Sequence, residues 1–290
     1  MFSVIIPSLN NLKYLKLCIE SIRKNSKYDH EIIVHSNIGS DGTIDYLKKN
    51  NIRFTHSKKN SGIPEGVNIA AKKASKNYIV YAHDDFYFFP GWDTAFFKEI
   101  NKMTNNLYYF SGTIVQNGQV NLDCGSSIET FDEQKALMEY KNIDYYDFQG
   151  STWAPHIIHK DTWNKVGGFS EEYYPGTGSD PDLNMKLWRE GIRIFKGLSK
   201  CKVYHFGSIV TRKYKNHPTI KTESGSKGGK IFLLKWGITF KFFKKHYLRS
   251  DSIYEGELSN PKRNIQFYLE LIICKLNYIY LKIFNPKLYK

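Results

Sequence analysis

Two acidic clusters in this sequence have the residue types and the position needed for chemistry. The first, His83-Asp84-Asp85, directly follows the apolar run Asn77–Ala82, which is typical of a short buried strand. Carboxylates at the carboxyl end of such a strand suit a hard metal ion or a sugar hydroxyl. In the simpler interpretation, Asp84 and Asp85 only cap the turn that follows the strand.

The second cluster follows a glycine-rich loop, Pro175–Gly178, and precedes a helical stretch. It consists of Ser179, Asp180, Pro181 and Asp182. Residues two apart cannot share one face of a helix, so only one of the two carboxylates is expected to point into a cleft. Because proline is tolerated in the first turn of a helix, Asp180 is the predicted N-cap. A carboxylate held there could also act as a general base.

The elements that must position these clusters alternate between strand and helix over the first part of the chain. The predicted strands are Phe2–Ile6, Glu31–Val34, Arg53–His56 and Tyr78–Ala82, and the predicted helices are Asn11–Asn25, Thr43–Asn50 and Pro64–Ser75. This alternation indicates βαβ units and a mostly parallel α/β sheet flanked by helices. Ligands of such sheets collect beyond the carboxyl ends of the strands. The polar residues after each strand, Pro7-Ser8, Ser36-Asn37 and His83–Asp85, are therefore expected to share one crevice.

The rest of the chain is less regular. Strands are predicted at Leu107–Val115, within Gly150–His159 and at Lys200–His205, and amphipathic helices at about 230–248 and 262–284. We expect a catalytic domain over 1–210, with a nucleotide-binding half (1–103) and an acceptor half (104–210), then a polar loop over 211–229 and a basic helical tail over 230–290.

Composition limits the protein classes to consider. The chain has 290 residues, of which 41% are hydrophobic, enough for a large core. Its four cysteines are scattered without a C-x-x-C pair, which argues against a disulfide framework or a zinc knuckle. The sequence enters a strand at once, without a charged leader, so we expect a cytoplasmic protein.

The positive charge is concentrated in the tail. The formal net charge is +14, and from Val210 onward 17 Lys and Arg stand against 5 Asp and Glu. An aromatic stripe at helical spacing accompanies this charge: Phe232, Trp236, Phe240, Phe243 and Tyr247. The stripe either packs on the catalytic domain or lies on an anionic membrane surface, peripherally at the inner face. No nucleic-acid-binding motif accompanies the basic residues, so a nucleic-acid partner is not expected.

Taken in order, the motifs resemble those of family 2 glycosyltransferases, which have the GT-A fold. The resemblance rests on Phe2–Pro7 (FSVIIP), Glu31–Val34 with Gly39–Thr43, Asn60 with Gly62 and Asn68, His83-Asp84-Asp85, Ser179–Leu183, and His205 in the run VYHFGS. This chain has Ser36, His83 and Ser179 where the family usually has acidic residues.

The resemblance implies a role for each matching residue. The donor nucleotide would be bound by Pro7, Ser8, Asn10, Ser36, Asn37, Asn60, Gly62, Asn68, His83 and Asp84. Asp85 and His205 would hold Mn²⁺ or Mg²⁺, although His205 could instead be a core histidine at a strand end. Asp180 would be the catalytic base. Trp153 and Asp182 are candidate acceptor residues, with Pro155 and His156 beside Trp153; core packing is the alternative for Trp153.

The implied function is that of an inverting, metal-dependent glycosyltransferase. It would move a sugar from a nucleotide-sugar donor to a glycan or lipid-linked acceptor in bacterial surface polysaccharide synthesis. A sugar-phosphate nucleotidyltransferase is an alternative, but it would need a basic, glycine-rich loop where this chain has Pro7-Ser8-Leu9-Asn10. A non-catalytic glycan-binding relative is the other alternative, because Ser36, His83 and Ser179 depart from the family pattern.

Overall fold

The computed structural model describes residues 1–207 and 226–284 and has one nine-stranded mixed sheet flanked by helices. The strands are β1 (Ser3–Leu9), β2 (Glu31–Asn37), β3 (Arg53–Ser57), β4 (Tyr78–Tyr81), β5 (Phe86–Phe88), β6 (Tyr108–Val115), β7 (Phe148–Gln149), β8 (His156–His159) and β9 (Ile194–His205). Their order in the sheet is β3-β2-β1-β4-β8-β6-β9-β5, and β7 pairs with β9.

Ten α-helices are present in the part of the chain that the structure describes. They are α1 (Leu12–Asn25), α2 (Thr43–Lys49), α3 (Gly62–Ala71), α4 (Trp92–Ile100), α5 (Glu133–Glu139), α6 (Lys160–Val166), α7 (Ser179–Arg189), α8 (Ser226–Trp236), α9 (Phe240–Phe242) and α10 (Ile265–Phe284). Short 3₁₀ turns occupy Tyr140–Asn142 and Glu171–Tyr173, and a π-helical turn, Phe243–Leu248, continues α9. Among the described helices, none combines the length and the apolar character of a membrane span.

The first four strands form the parallel part of the sheet, as predicted. β1 pairs in parallel with both β2 and β4, and β2 pairs in parallel with β3. The apolar runs of β1, β2 and β4 are buried, as expected for strands covered on both faces, whereas the edge strand β3 is only partly buried. The register places Ser8 opposite Ser36, so the polar ends of β1 and β2 lie side by side.

The later strands extend the same sheet in mixed orientation. β8 runs antiparallel to β4 and to β6, and β9 runs parallel to β6 and antiparallel to β5. In the run Gly150–His159, only His156–His159 forms a strand. The late strand is longer than the predicted Lys200–His205, since it begins at Ile194. Its pairing with β6 shifts register between Gly112 and Thr113. One sheet therefore joins the two predicted halves of the catalytic domain.

The first part of the tail belongs to the main core. Phe232 and Phe243 are 0% exposed, and Trp236, Phe240 and Tyr247 pack against the core. Packing on the domain is thus confirmed for the aromatic stripe, and its membrane alternative is wrong.

The boundaries predicted for the loop and the first tail helix need correction. Most of the loop predicted over 211–229 lies outside the described residues, but α8 already begins at Ser226. The helix predicted over 230–248 is broken after Trp236, where Gly237 has a φ of 72°. A glycine in this left-handed conformation commonly ends a helix.

Candidate active site

Ser8 at the end of β1 binds the acidic cluster that follows β4. Its Oγ donates a hydrogen bond of 2.7 Å to Oδ2 of Asp84, and both residues are buried. Burial, and secondly the neighbouring charge of Asp85, raise the pKa of Asp84 to about 8, while the Ser8 hydrogen bond opposes that rise. The structure therefore brings the ends of β1 and β4 together in the predicted crevice.

A candidate metal centre lies beside this pair. Ligand atoms of His83, Asp85 and His205 all lie within 4.8 Å of one another, and Nε2 of His205 is 3.5 Å from Oδ2 of Asp85. The antiparallel pairing of β5 with β9, which sets Phe86 opposite His205, produces this proximity.

The donor set of this centre fits a divalent transition metal. Burial lowers the pKa of His83 to about 4, so that its imidazole is neutral near pH 7 and keeps a lone pair for a metal. Two imidazoles and one carboxylate suit Mn²⁺ better than Mg²⁺, which prefers oxygen ligands only.

Asp180 lies in the first turn of α7, although not as its N-cap. The N-cap is Gly178, with a φ of 97°, and Asp180 is the second residue of the helix. The cap prediction is wrong because the glycine takes the non-helical position, while the Ser179 Oγ donates to the Gly176 carbonyl at 2.7 Å. Burial raises the pKa of Asp180 to about 7. Within the described residues, Oδ1 of Asp180 has no hydrogen-bond partner.

The charge of Asp180 acts on Tyr81 and Tyr109, which belong to a buried polar cluster. We call it the base cluster: Tyr81, Tyr109, His156 and Asn184. The ring of His156 lies 5.1 Å from that of Tyr81 and 4.9 Å from that of Tyr109. The Tyr109 hydroxyl, both His156 nitrogens and the Asn184 amide lack hydrogen-bond partners in the described part of the chain. Buried polar groups are normally satisfied, so these atoms are suited to bind a ligand or water.

Tyr81 connects the base cluster to the strand-end crevice. Burial raises its pKa well above the usual value, and the charges of Asp180, Asp84 and Asp85 act in the same direction. The ring of Tyr81 also lies 5.4 Å from that of His83. The two acidic clusters that are distant in sequence therefore act on one hydroxyl group.

Sequence reasoning missed Tyr109 and Asn184. Asn184 follows Asp180 by four residues and so lies on the same face of α7, a spacing from which it could have been predicted. Tyr109 carries no comparable signal, because tyrosine is common in buried strands and in this chain.

Asp182 does not lie in the crevice, which corrects the acceptor role predicted for it. It is 0% exposed, and its Oδ1 accepts from Nε1 of Trp236 at 2.8 Å and lies 3.0 Å from Nζ of Lys235. Its Oδ2 accepts a hydrogen bond from Ser170. Asp182 therefore fastens α7 to the tail helix α8, and both of its oxygens are occupied.

Asn68 also has a different environment from the one predicted. Its Oδ1 accepts from the Phe169 amide at 2.9 Å, and its Nδ2 donates to the Phe169 carbonyl at 2.8 Å. Both ends of the amide thus bind the backbone after α6, and its role in nucleotide binding stays a prediction.

The remaining predicted donor residues hold the loops that follow β1 and β2. Asn10 exchanges side-chain hydrogen bonds with Ser40, and Asn37 accepts two from Ser61. Asn60 accepts from the amide of Gly62, the first residue of α3. Pro7 and Ser36 lie buried in β1 and β2, and the Ser36 Oγ has no partner among the described residues.

Trp153 is one of the exposed aromatic residues, with 39% of its surface accessible. Nζ of Lys244, from the turn after α9, lies over its ring at 4.6 Å. The alternative that Trp153 packs in the core is therefore wrong, and its role in acceptor binding stays a prediction. The neighbouring His156 belongs to the base cluster.

The fold and the strand-end acidic site together define the class of this protein. The chain belongs to glycosyl transferase family 2, whose family model matches residues 3–168. The predicted family and GT-A type fold are thereby confirmed, and membership indicates a glycosyltransferase.

One similar curated protein is poly(ribitol-phosphate) beta-N-acetylglucosaminyltransferase TarS of Staphylococcus aureus. It is 30% identical over 93 residues, which are 30% of this chain and 16% of TarS. The match therefore spans a small part of that relative.

Solved structures of TarS share the fold of this chain. TarS 1–349 has a TM-score of 0.58 at 14% identity, covering 99% of this chain and 73% of that one. Its complex with UDP has a TM-score of 0.53 at 18% identity, covering 70% and 59%. GalNAc-T7 with UDP, GalNAc and Mn²⁺ also has a TM-score of 0.53, at 16% identity, covering 71% and 43%.

Proposed function

We propose that this protein is an inverting, metal-dependent glycosyltransferase that takes its sugar from a nucleotide-sugar donor. The observation that carries the proposal is the position of Tyr81, whose hydroxyl interacts with two acidic groups that differ in their chemistry. One, with His83, Asp85 and His205, has the ligands of a divalent metal site. The other is Asp180, a carboxyl whose pKa of about 7 suits a general base near neutral pH.

Asp85 and His205, with His83, would hold the metal at the strand ends. A divalent ion bound there supplies Lewis-acid stabilisation of the negative charge on a departing diphosphate. Ser8 fixes the orientation of Asp84 through its 2.7 Å hydrogen bond, and Asp84 would face the ribose or the sugar. The similar structures bound to UDP support a nucleoside diphosphate as the donor's leaving group.

Asp180 would take the proton from the acceptor hydroxyl as that oxygen attacks the anomeric carbon. Inversion requires attack from the face opposite the diphosphate, so the base and the metal must lie on different sides of the sugar. The placement of Asp180 on α7 and of the metal ligands between β4 and β5 and at the end of β9 is consistent with that requirement. Likeness to TarS supports an acceptor in bacterial surface polysaccharide, either a glycan or a lipid-linked saccharide.

Asp180→Asn tests the assignment of the base, because it keeps the size of the side chain and removes its basicity. We expect transfer to fall by roughly 10²–10⁴, the usual cost of losing a general base, while donor affinity measured by calorimetry is unchanged. Asp161→Asn, at an exposed carboxylate of α6, is the matched control and should retain full activity.

Transfer within a few-fold of wild type in Asp180→Asn would exclude Asp180 as the base. A wild-type protein that binds glycans but neither transfers nor hydrolyses any nucleotide sugar in the presence of Mn²⁺ would support the non-catalytic alternative instead.

A further inference from the structure

Helix α10 is attached to the protein along one narrow stripe. Phe267, Cys274 and Leu281, spaced seven residues apart, are its buried residues. The ring of Phe267 lies 5.0 Å from that of Phe242, and Glu270 pairs with Lys245 and His246. These contacts fix which side of the helix faces the protein.

The opposite side of α10 is a continuous apolar surface, which we call the outer face. Its large residues are 49% to 81% exposed: Ile265, Tyr268, Leu269, Ile272, Ile273, Leu276, Ile279, Tyr280, Ile283 and Phe284. At about 100° per residue, these positions are centred opposite the buried stripe. Apolar patches of this extent on a folded domain mark sites of protein or membrane interaction.

Basic groups border the outer face. Lys275 and Lys282, one heptad apart, lie along one edge of it. Beyond Tyr280, on the other side, opens a cleft of about 350 Å³ that Lys230 and Lys241 help to line. Glu270, the only acidic residue of α10, forms ion pairs with Lys245 and His246. The surroundings of the outer face are therefore positive.

We propose that the outer face of α10 binds an anionic lipid bilayer, with the helix lying in the plane of the interface. Its isoleucine and leucine side chains would enter the acyl boundary, and the bordering lysines would reach the anionic headgroups. Over 20 residues the helix is about 30 Å long, so several lipids would contact it at once. This proposal does not depend on the nature of the sugar donor.

The charge pattern favours a membrane over a second copy of this chain. Paired helices in a coiled coil are matched by opposite charges beside the apolar seam. Here the border residues Lys275 and Lys282 have the same sign, and the single carboxylate of the helix is engaged within the chain. A second copy would present lysines where a complementary partner needs acidic groups.

Sedimentation of the full chain with vesicles tests the proposal. We expect binding to vesicles of phosphatidylcholine mixed with phosphatidylglycerol, weak binding to phosphatidylcholine alone, and release from the mixed vesicles in high salt, which screens the headgroup charge. Absence of binding to the mixed vesicles at low salt would overturn the proposal.

Two sets of variants separate the apolar and basic contributions. Leu276→Glu should lower the partition coefficient at least tenfold, since it places a charge in the centre of the outer face. Met138→Glu on α5, at a methionine that is 67% exposed, is the matched control and should bind as wild type does. The double variant Lys275→Gln/Lys282→Gln should lose roughly 25-fold, from about fivefold per lysine near an anionic surface.

Sedimentation equilibrium without lipid tests the alternative that the outer face binds a second copy of this chain. If Leu276→Glu converts an oligomer into monomers and leaves vesicle binding unchanged, the outer face is a self-association surface and the proposal is wrong. Because all substituted residues are exposed, we expect unchanged circular dichroism and thermal midpoints in every variant.

Discussion

Asp180 shows how one side chain can be adapted to chemistry at some cost to stability. Its carboxyl is buried near Tyr81 and Tyr109, and its Oδ1 finds no hydrogen-bond donor within the described residues. Burial disfavours the ionised form, and a hydrogen bond from the backbone only partly offsets this effect, so the pKa rises to about 7. The same environment makes the carboxyl a better proton acceptor near neutral pH than an ordinary aspartate.

The raised pKa predicts that Asp180→Asn becomes relatively more stable as the pH rises. Between the usual pKa of 3.8 and about 7, the folded state keeps the Asp180 proton while the unfolded state releases it. Wild-type stability therefore falls across this window, and asparagine has no such loss. We expect the difference in thermal midpoint, variant minus wild type, to be near zero at pH 4 and positive above pH 7.

Asp161→Asn controls for removal of a carboxylate, and its difference from wild type should not follow the same pH dependence. A flat difference for Asp180→Asn from pH 4 to pH 8 would show that the Asp180 carboxyl is not desolvated.

At the scale of elements, the tail helices help to form the fold around the site. Helix α8 contributes Trp236 and Lys235 to Asp182 of α7, the helix that also carries Asp180. Phe232 and Phe243 add fully buried rings to the core. Loss of these helices would expose that core and loosen α7, so we expect the catalytic domain and the first tail helices to unfold as one cooperative unit.

Phe243→Ala is expected to lower the free energy of unfolding by about 3–5 kcal/mol, because it leaves a cavity in the core. Urea denaturation measures this change. Phe284→Ala on α10 removes the same side chain from a position that is 65% exposed, and should change stability by no more than about 0.5 kcal/mol. Equal effects of the two variants would contradict the packing described for the tail.

Over the protein as a whole, the partners proposed for the acidic crevice and for the basic tail differ. The crevice gathers Asp84, Asp85 and Asp180, whose charges all act on Tyr81. In the proposed function, a cation bound there would offset the negative charge of a diphosphate. The tail carries most of the net charge of +14 and presents the outer face of α10. The arrangement would let the protein rest on a membrane without competition between lipid headgroups and the donor for one site.

Ligand binding should raise the thermal midpoint of the protein, and the increase should depend on the metal. A nucleoside diphosphate with Mn²⁺ at a hundred times its dissociation constant should raise the thermal midpoint by roughly 5 °C, because only the folded state binds it. UDP is the first nucleotide to test, since it is bound in a TarS structure of the same fold. Addition of a chelator, or Asp85→Ala, should remove the shift. A shift of equal size without metal would exclude the site formed by His83, Asp85 and His205.

Local patterns in the sequence were sufficient to predict the parallel half of the sheet and the crevice at its edge. The β-branched runs of β1, β2 and β4 are buried on both faces, so their composition alone identified them as central strands. The polar residues that follow such strands must meet at one edge of the sheet. Ser8 and Asp84 do so, and Asp85 could be matched to a metal ligand before any distance was known.

Where the other side chains point depends on contacts between distant parts of the chain. The register of β5 on β9 sets His205 beside Asp85, and packing of α8 removes Asp182 from the crevice while Asn184 joins the base cluster. The same packing buries the aromatic stripe of α8 and α9 and leaves the more hydrophobic α10 exposed. These outcomes depend on contacts between residues that are distant in sequence, whereas periodicity reports only that a helix has an apolar side and not what that side meets.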